Sequence, residues 1–309
     1  MKINTTVYIP IILLLSNVAN AAVELPNGQF HETYDDLKVK VMGGYVTVKR
    51  TWYDGRWYFN RAWSPLQIKT NNTTNEIIDI TRHLETYERQ ATTGTFVFDE
   101  RKTIKETNTG YRWEDREGNW IEYDRTGQIL RYGDRNNVQV SFQYDTQGRR
   151  TAVYDHFGTQ MLWYEYDGTT NRLLAIRDQA VIAQSRRVQY QYTGDQLTSA
   201  IDVLGNTWSY TYTGNKLTRI TDPEGRSTNI AYLGDGDTQS VTKEDGTGVF
   251  YEFDYDKTRK EYFVRLTYST GKILEVWYNF DGDVVRRDEN GVTTETVQID
   301  GRRYISTNE

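Results

Sequence analysis

The feature that most narrows the fold of this chain is a repeating unit, clearest in the stretch Thr207 to Tyr232, TWSYTYTGNKLTRITDPEGRSTNIAY. Trp208, Tyr210 and Tyr212 alternate with Ser209 and Thr211, the period-two pattern of a strand with one buried face. Thr213-Gly214-Asn215 breaks the run with residue types that take positive φ at low cost, so the chain reverses there. A second short strand carries Leu217 and Ile220 and ends at Asp222-Pro223-Glu224-Gly225. That tetrapeptide suits a type I turn, because Asp accepts from the backbone, Pro presets φ and Gly closes the reversal. Thr228, Ile230 and Tyr232 then restart the alternation, twenty residues beyond Tyr212. Leu217 and Ile220 are three apart, which strict alternation would send to opposite faces; the spacing predicts a β-bulge or a strand buried on both sides.

The same unit runs through the second half of the chain. Tyrosines recur at Tyr123, Tyr144, Tyr166, Tyr192, Tyr212, Tyr232, Tyr255 and Tyr278, spaced 20 to 26 residues apart. Most are followed by an acidic or glycine turn: Asp124 with Gly127, Asp145 with Gly148-Arg149, Asp167 with Gly168, and Thr193-Gly194. Ten to twelve residues later several units show a second turn, Asp155 with Gly158, Asp202 with Gly205, Asp222 with Gly225 and Asp288 with Gly291. A fixed period of this length marks a repeat architecture. Each unit is one hairpin plus the turn into the next, and nothing after Phe96 resembles a long amphipathic helix. The predicted fold class is therefore all-β, a meander of antiparallel hairpins forming a curved sheet or partial spiral shell.

Ahead of the array the chain opens with a leader. Lys2, the apolar run Val7 to Leu15 and the small residues Ala19-Asn20-Ala21 make an export signal of residues 1–21, predicting cleavage between Ala21 and Ala22. The apolar run is too short to span a bilayer as a helix, so the expected product is not membrane-spanning and is periplasmic, cell-surface or secreted. Residues 22–36 show little periodicity and read as an N-terminal arm. From Leu37 strands are expected: Val39 and Val41, then Tyr45, Thr47 and Lys49 beyond a Gly43-Gly44 turn, with Val46 and Val48 on the other parity. That arrangement predicts a strand buried on both sides. Asp54-Gly55 between Trp52-Tyr53 and Arg56-Trp57-Tyr58-Phe59 is a strong hairpin signal. Arg82 to Arg89 reads equally as a strand or one helical turn.

Composition restricts the chemistry. One of the 37 Lys and Arg falls in the leader, leaving 36 against 43 acids, a formal charge of −7 that argues against nucleic acid as a partner. With no cysteine there is no disulfide, thiolate metal site or cysteine nucleophile. The excess is aromatic, 24 tyrosines and eight tryptophans, residues that favour strands and pack an apolar body behind a polar tip.

Tyr144-Asp145-x-x-Gly148-Arg149 and Tyr212 through Asp222-Pro223-Glu224-Gly225-Arg226 resemble the YD repeats of Rhs-family proteins. The block Val41 to Leu66 is similar to the region that opens the repeat array in many bacterial Rhs proteins, and the resemblance covers roughly Leu37 to Asp300. It divides the chain into a leader (1–21), an arm (22–36), an Rhs N-terminal β region (37–118), a YD-repeat array (119–300) and a tail (301–309). It implies a β-strip that spirals into a hollow shell, which in polymorphic toxins holds a C-terminal effector. The shell-closing DPxGL-type motif is missing: Asp222-Pro223-Glu224-Gly225 sits mid-array and is followed by Arg226. No effector domain is expected after the array either. Roughly sixteen to twenty strands about 4.8 Å apart give a strip of roughly 80 to 95 Å, too short to wall in a ~100-residue passenger alone.

No catalytic, cofactor or metal residues are nominated. His31, His83 and His156 lack the spacing of a metal site or triad, and His156 beside Asp155 reads as a turn residue. Asp235-Gly236-Asp237, Asp254-Tyr255-Asp256 and Asp281-Gly282-Asp283 invite glycosidase or calcium readings, but they lack the further ligands a calcium loop needs and read as turns. The pairs Arg149-Arg150, Arg186-Arg187, Arg286-Arg287 and Arg302-Arg303 are expected at solvated strand positions. The expected function is a non-catalytic scaffold whose partner is another polypeptide, docked along an open strand edge; the alternative is a carbohydrate-binding module using exposed aromatics.

Overall fold

The computed structural model describes residues 21–83, 85–90, 94–99, 101–299 and 302–308. Most of the expected leader therefore lies outside the described residues. No α-helix occurs among them, only short 3-10 turns at Arg61–Trp63 and Ile182–Gln184, and no helix is long and apolar enough to cross a membrane. The all-β expectation holds. The chain divides into two compact units, residues 33–231 and residues 232–309 joined by the N-terminal segment up to Glu32.

In the first unit, strands follow one another as an antiparallel meander from Gln67–Thr70 to Ser227–Tyr232, each pairing with the next in chain order. Its buried face carries Tyr87, Phe96, Ile104, Tyr123, Ile129, Leu162, Ile176, Tyr190, Leu197, Tyr210 and Leu217. Trp208, Tyr210 and Tyr212 share this face while Ser209 and Thr211 are exposed or nearly so, as the alternation predicts. In the second unit the strands from Thr238–Lys243 to Arg302–Asn308 form a like meander, with Val249, Tyr251, Val264, Leu266, Leu274 and Val276 buried.

The residues read as an arm are strands. Ala21–Glu24 pairs with Gln29–Val41, which lies beside Gly44–Tyr53 and then Arg56–Phe59 in a separate four-stranded sheet. The pattern was hidden because the inward positions of Gln29–Val41 include Glu32 and Asp36, which a hydropathy count treats as surface. Gly44–Tyr53 buries Val46, Val48, Arg50 and Trp52 on one side, with only Tyr53 at its end buried on the other, whereas Tyr45 is 66% exposed. The parity of the valines, not of Tyr45, Thr47 and Lys49, sets the inward face. Asp54 and Gly55 both take positive φ, the geometry of a type I′ turn, so this hairpin forms as expected. Arg82 to Arg89 resolves into Ile77–Arg82 and Glu85–Arg89 around a reversal at His83, whose φ is 59°.

Candidate functional site

Six of the anchor tyrosines, Tyr123, Tyr144, Tyr166, Tyr192, Tyr212 and Tyr278, sit where the register of their hairpin shifts by a residue. Thr211 pairs with Arg219 but Tyr212 with Leu217, which leaves Thr218 as the extra residue of a bulge. The bulge turns Leu217 and Ile220 to the same face, 0% and 5% exposed, as their spacing requires. Leu197 with Ala200 and Leu173 with Ile176 repeat the device. Two of these tyrosines also reach back one unit. Tyr144 Oη donates to the Ile129 carbonyl at 2.7 Å, and Tyr212 Oη to the Leu197 carbonyl at 2.6 Å. Ile129 and Leu197 are the residues facing the preceding anchors, Tyr123 and Tyr192. Burial pushes the Tyr144 hydroxyl up and that of Tyr212 to about 12.

The acidic turns share one geometry. Asp124, Asp145, Asp155, Asp202 and Asp222 each accept, through Oδ1, the backbone N–H groups two and four residues on. Gly225 closes its turn with a φ of 82° and open space where a Cβ would sit, so its requirement is conformational. Burial would raise the Asp145 carboxyl, but the backbone and side chain of Arg149 hold it below the usual range. At Thr193-Gly194 and Thr213-Gly214 the turn shortens to two residues with Gly first. The residue leaving each turn then bonds to the next turn on that rim. Gln128 Nε2 donates to the Gly148 carbonyl, Arg149 Nη1 to Asn171 Oδ1, Arg172 Nη2 to Asp195 Oδ1 and Gln196 Nε2 to the Gly214 carbonyl. The repeat-defining side chains thus bind one another.

Two places escaped the sequence reading. The first is where the strands Gly44–Tyr53 and Arg56–Phe59 meet the array. Arg50, wholly buried, lies 3.2 Å from Asp36, whose other oxygen accepts from Tyr190 Oη at 2.7 Å. The guanidinium faces the rings of Tyr34, Tyr210 and Trp57 at 4.6, 5.4 and 5.5 Å. Burial pushes the Asp36 carboxyl up, with Arg50 opposing it. Trp57 Nε1 donates to Tyr212 Oη, Phe59 packs on Tyr190 at 4.6 Å, and Arg150 Nη2 donates to the Trp63 carbonyl. One face of the array is thereby occupied by the chain's own N-terminal strands.

The second is a cavity of about 460 Å³ beneath the Gly43-Gly44 turn, walled by Met42, Trp63, Arg82, Trp113, Trp120 and Tyr132. Trp120 lies across Gly133, where a Cβ would come 2.6 Å from Cζ2. Trp120 Nε1 donates to the Asp134 carbonyl at 3.0 Å and Trp113 Nε1 to Tyr87 Oη at 2.7 Å. Arg82 stacks 4.4 Å over Trp113 while its Nε donates to Tyr123 Oη at 3.1 Å. Trp113 stands opposite Ile121 and Trp120 opposite Glu114, so the two indoles start from opposite faces of their hairpin and no local pattern announces the cavity.

The other candidates are dispersed. His156 sits in its turn 5.3 Å from the Phe157 ring, with Asp155 Oδ1 already bonded to Phe157 and Thr159 N–H groups. His83 is pushed down to about 4 by burial and by Arg82 and Arg61. Among the described residues no group of three or more His, Asp or Glu is disposed to hold a metal ion. Asp256 accepts from Thr258 and Arg259 N–H groups, and Asn279 rather than Asp281 braces its turn. Three of the arginine pairs differ from expectation at one member each, Arg186 is half exposed as expected, and the side chains of Arg302 and Arg303 lie outside the described residues. Arg150 lies among Trp63, Phe142, Tyr144 and Tyr164, Arg187 is bonded to Glu165, and Arg286 stacks 4.0 Å over Trp277. Ring faces there satisfy cations that a strand pattern assigns to water.

Residues 123–160 match the family model described as RHS Repeat, the span containing Tyr123, Asp124, Tyr144, Asp145 and Arg149. Fold and repeat together define a β-hairpin repeat protein. The matched span holds two of the tyrosine-anchored units, so this part of the chain is similar to an Rhs repeat. No curated protein matches its sequence. Solved structures similar to it include crystal structures of TcdB2-TccC3 (12% identity, TM-score 0.25, over 91% of this chain), TcdB2-TccC3-Cdc42 (13%, 0.26, 92%) and TcdB2-TccC3-TEV (13%, 0.25, 92%). In each case it covers 21% of the matched chain, so it spans about a fifth of their length.

Proposed function

We propose that this chain is an exported structural part of an Rhs-type shell, which encloses or docks another polypeptide and performs no catalysis. The observation that carries this reading is the commitment of the repeat side chains: the anchor tyrosines, turn aspartates and turn-exit residues are held by the frame they define. The large aromatics of the array pack inward, Tyr190 and Tyr210 against Phe59 and Trp57, as suits a wall. A partner docks on what the N-terminal strands leave uncovered. Export rests on the leader, and N-terminal sequencing of the secreted protein is expected to begin at Ala22.

The test is co-expression with the polypeptide encoded next to its gene, followed by light scattering and cross-linking mass spectrometry. A stoichiometric complex cross-linked to the array supports the reading. A chain that remains alone and binds glycans, with quenching of its tryptophans, replaces it by the carbohydrate-binding alternative.

A further inference from the structure

The cavity under the Gly43-Gly44 turn has the features of a ligand site, and we infer that it binds a carboxylate carried on an apolar, ring-sized body. The inference stands apart from the shell reading, since nothing in it depends on what the array encloses.

Three observations point to that chemistry. The volume, about 460 Å³, lies within the range of pockets that take small organic molecules. The walls are mainly hydrocarbon and indole, from Met42, Trp63, Trp113, Trp120 and Val138, with Asn119, Asp134 and Gln139 as the polar residues besides Arg82, and both Trp113 and Trp120 spend their N–H donors on other protein groups. A polyol needs many donors and acceptors at the wall, so these walls suit a flat apolar group better than a sugar. The third observation is Arg82. Its guanidinium carbon lies 4.4 Å over the Trp113 ring and its Nε donates to Tyr123 Oη, two contacts that restrict the orientation of its remaining N–H groups. Glu85 Oε2 stands 3.9 Å from Nη1, and this oxygen already accepts from Tyr87 Oη at 2.6 Å, while Glu85 Oε1 is taken by Lys102. A planar, pre-set guanidinium at an apolar cavity matches a carboxylate, which accepts two parallel N–H bonds.

Two sources supply such a group: a free aromatic acid, or the C-terminal residue of a polypeptide ending in an aromatic side chain. Isothermal titration of the full chain with 1-naphthylacetate and with 1-naphthylacetamide tests the shared chemistry, and acetyl-Gly-Gly-Trp with a free or an amidated terminus separates the sources. The acid is expected to bind at least tenfold more tightly than the amide. Arg82→Gln should remove that difference and Arg82→Lys should restore part of it. Val138→Trp, which fills the cavity mouth, should abolish binding of both. Tighter binding of the free-terminus tripeptide than of naphthylacetate assigns the site to a chain end, and the reverse order assigns it to a small acid. Equal binding of acid and amide, acid binding that survives Arg82→Gln, or no heat with either acid in the wild-type chain overturns the inference whether or not a variant folds.

Discussion

In the hairpin of Thr207–Thr213 and Lys216–Thr221, Tyr212 faces Leu217 across a bulge, donates to the Leu197 carbonyl and accepts from Trp57. In the hairpin of Gly248–Asp256 and Glu261–Tyr268, eight successive pairs run from Val249 with Tyr268 to Asp256 with Glu261 without a shift, and Tyr255 stacks obliquely on Tyr262, 4.9 Å away. The tyrosines hold equivalent places in the repeat count. What separates them is the extra residue after the turn. A bulge re-aims the return strand so that residues three apart share a face and the tyrosine turns toward the previous unit. A straight hairpin keeps strict alternation and its tyrosine ends near the tip. Tyr255 is therefore not an anchor in the sense that Tyr212 is.

The first hairpin also carries the N-terminal strands, and the largest expected effect lies there. Asp36→Ala leaves the Arg50 cation buried and unpaired, and urea denaturation should show a loss of about 3–5 kcal/mol. Replacing both, Asp36→Leu with Arg50→Met, should recover most of that loss; if the single change costs under ~1 kcal/mol, the pair does not hold the N-terminal strands to the array. Next comes the bulge itself. Deleting Thr218 leaves Leu217 and Ile220 two apart and still inward, but removes the kink that aims Tyr212 at the Leu197 carbonyl and at Trp57, an expected cost of about 2–3 kcal/mol. An unchanged denaturation midpoint would mean that the bulge does not aim the tyrosine.

Tyr212→Phe removes a bond to a carbonyl and an acceptor for the Trp57 indole, about 2 kcal/mol, whereas Tyr255→Phe should lie within ~0.5 kcal/mol of the parent. Equal losses would erase the contrast between the hairpins. A smaller effect belongs to His83. Its folded-state value of about 4 is below the ~6.5 of an unfolded histidine, so the unfolded chain takes up the proton first. Stability should fall as the pH drops from about 6.5 to about 4 and level off below, by about 1–2 kcal/mol once solvent screening of this partly exposed ring is allowed for. Arg82 and Arg61 disfavour the imidazolium and Glu85 favours it. His83→Asn, which tolerates the positive φ, should flatten that slope, and an NMR titration of the ring checks the value. Smallest is the rim: Arg149→Ala should cost about 0.5 kcal/mol, because exposed ion pairs are weak. A cost above ~2 kcal/mol would make the turn-to-turn bonds a principal support of the array.

Much of the array was legible from particular residues. Asp222 through Gly225 announced their turn because the chemistry is local: a carboxylate within reach of its own backbone and a residue free to take positive φ. Leu217 and Ile220 announced a bulge because their spacing contradicts the pleat. The strand Gln29–Val41 was not legible, since its buried face includes Glu32 and Asp36, and polar residues enter a core only when a distant partner neutralises them. The cavity was hidden for a related reason: Arg82, Trp113 and Tyr132 come from separate strands and Trp63 from a 3-10 turn, and nothing near any one of them encodes the gap between.

The order of hairpins in the array, the positions of its reversals and the likeness of residues 123–160 to an Rhs repeat were thus decided by sequence alone, because each depends on residues that touch within one turn or one strand pair. The tertiary structure decided which face the tyrosines serve, where Arg50 finds its counter-charge, and that the N-terminal strands cover part of the array. Those outcomes depend on groups up to about 150 residues apart in the chain, such as Asp36 with Tyr190 and Trp57 with Tyr212, whose energies exist only once packing has removed water from between them.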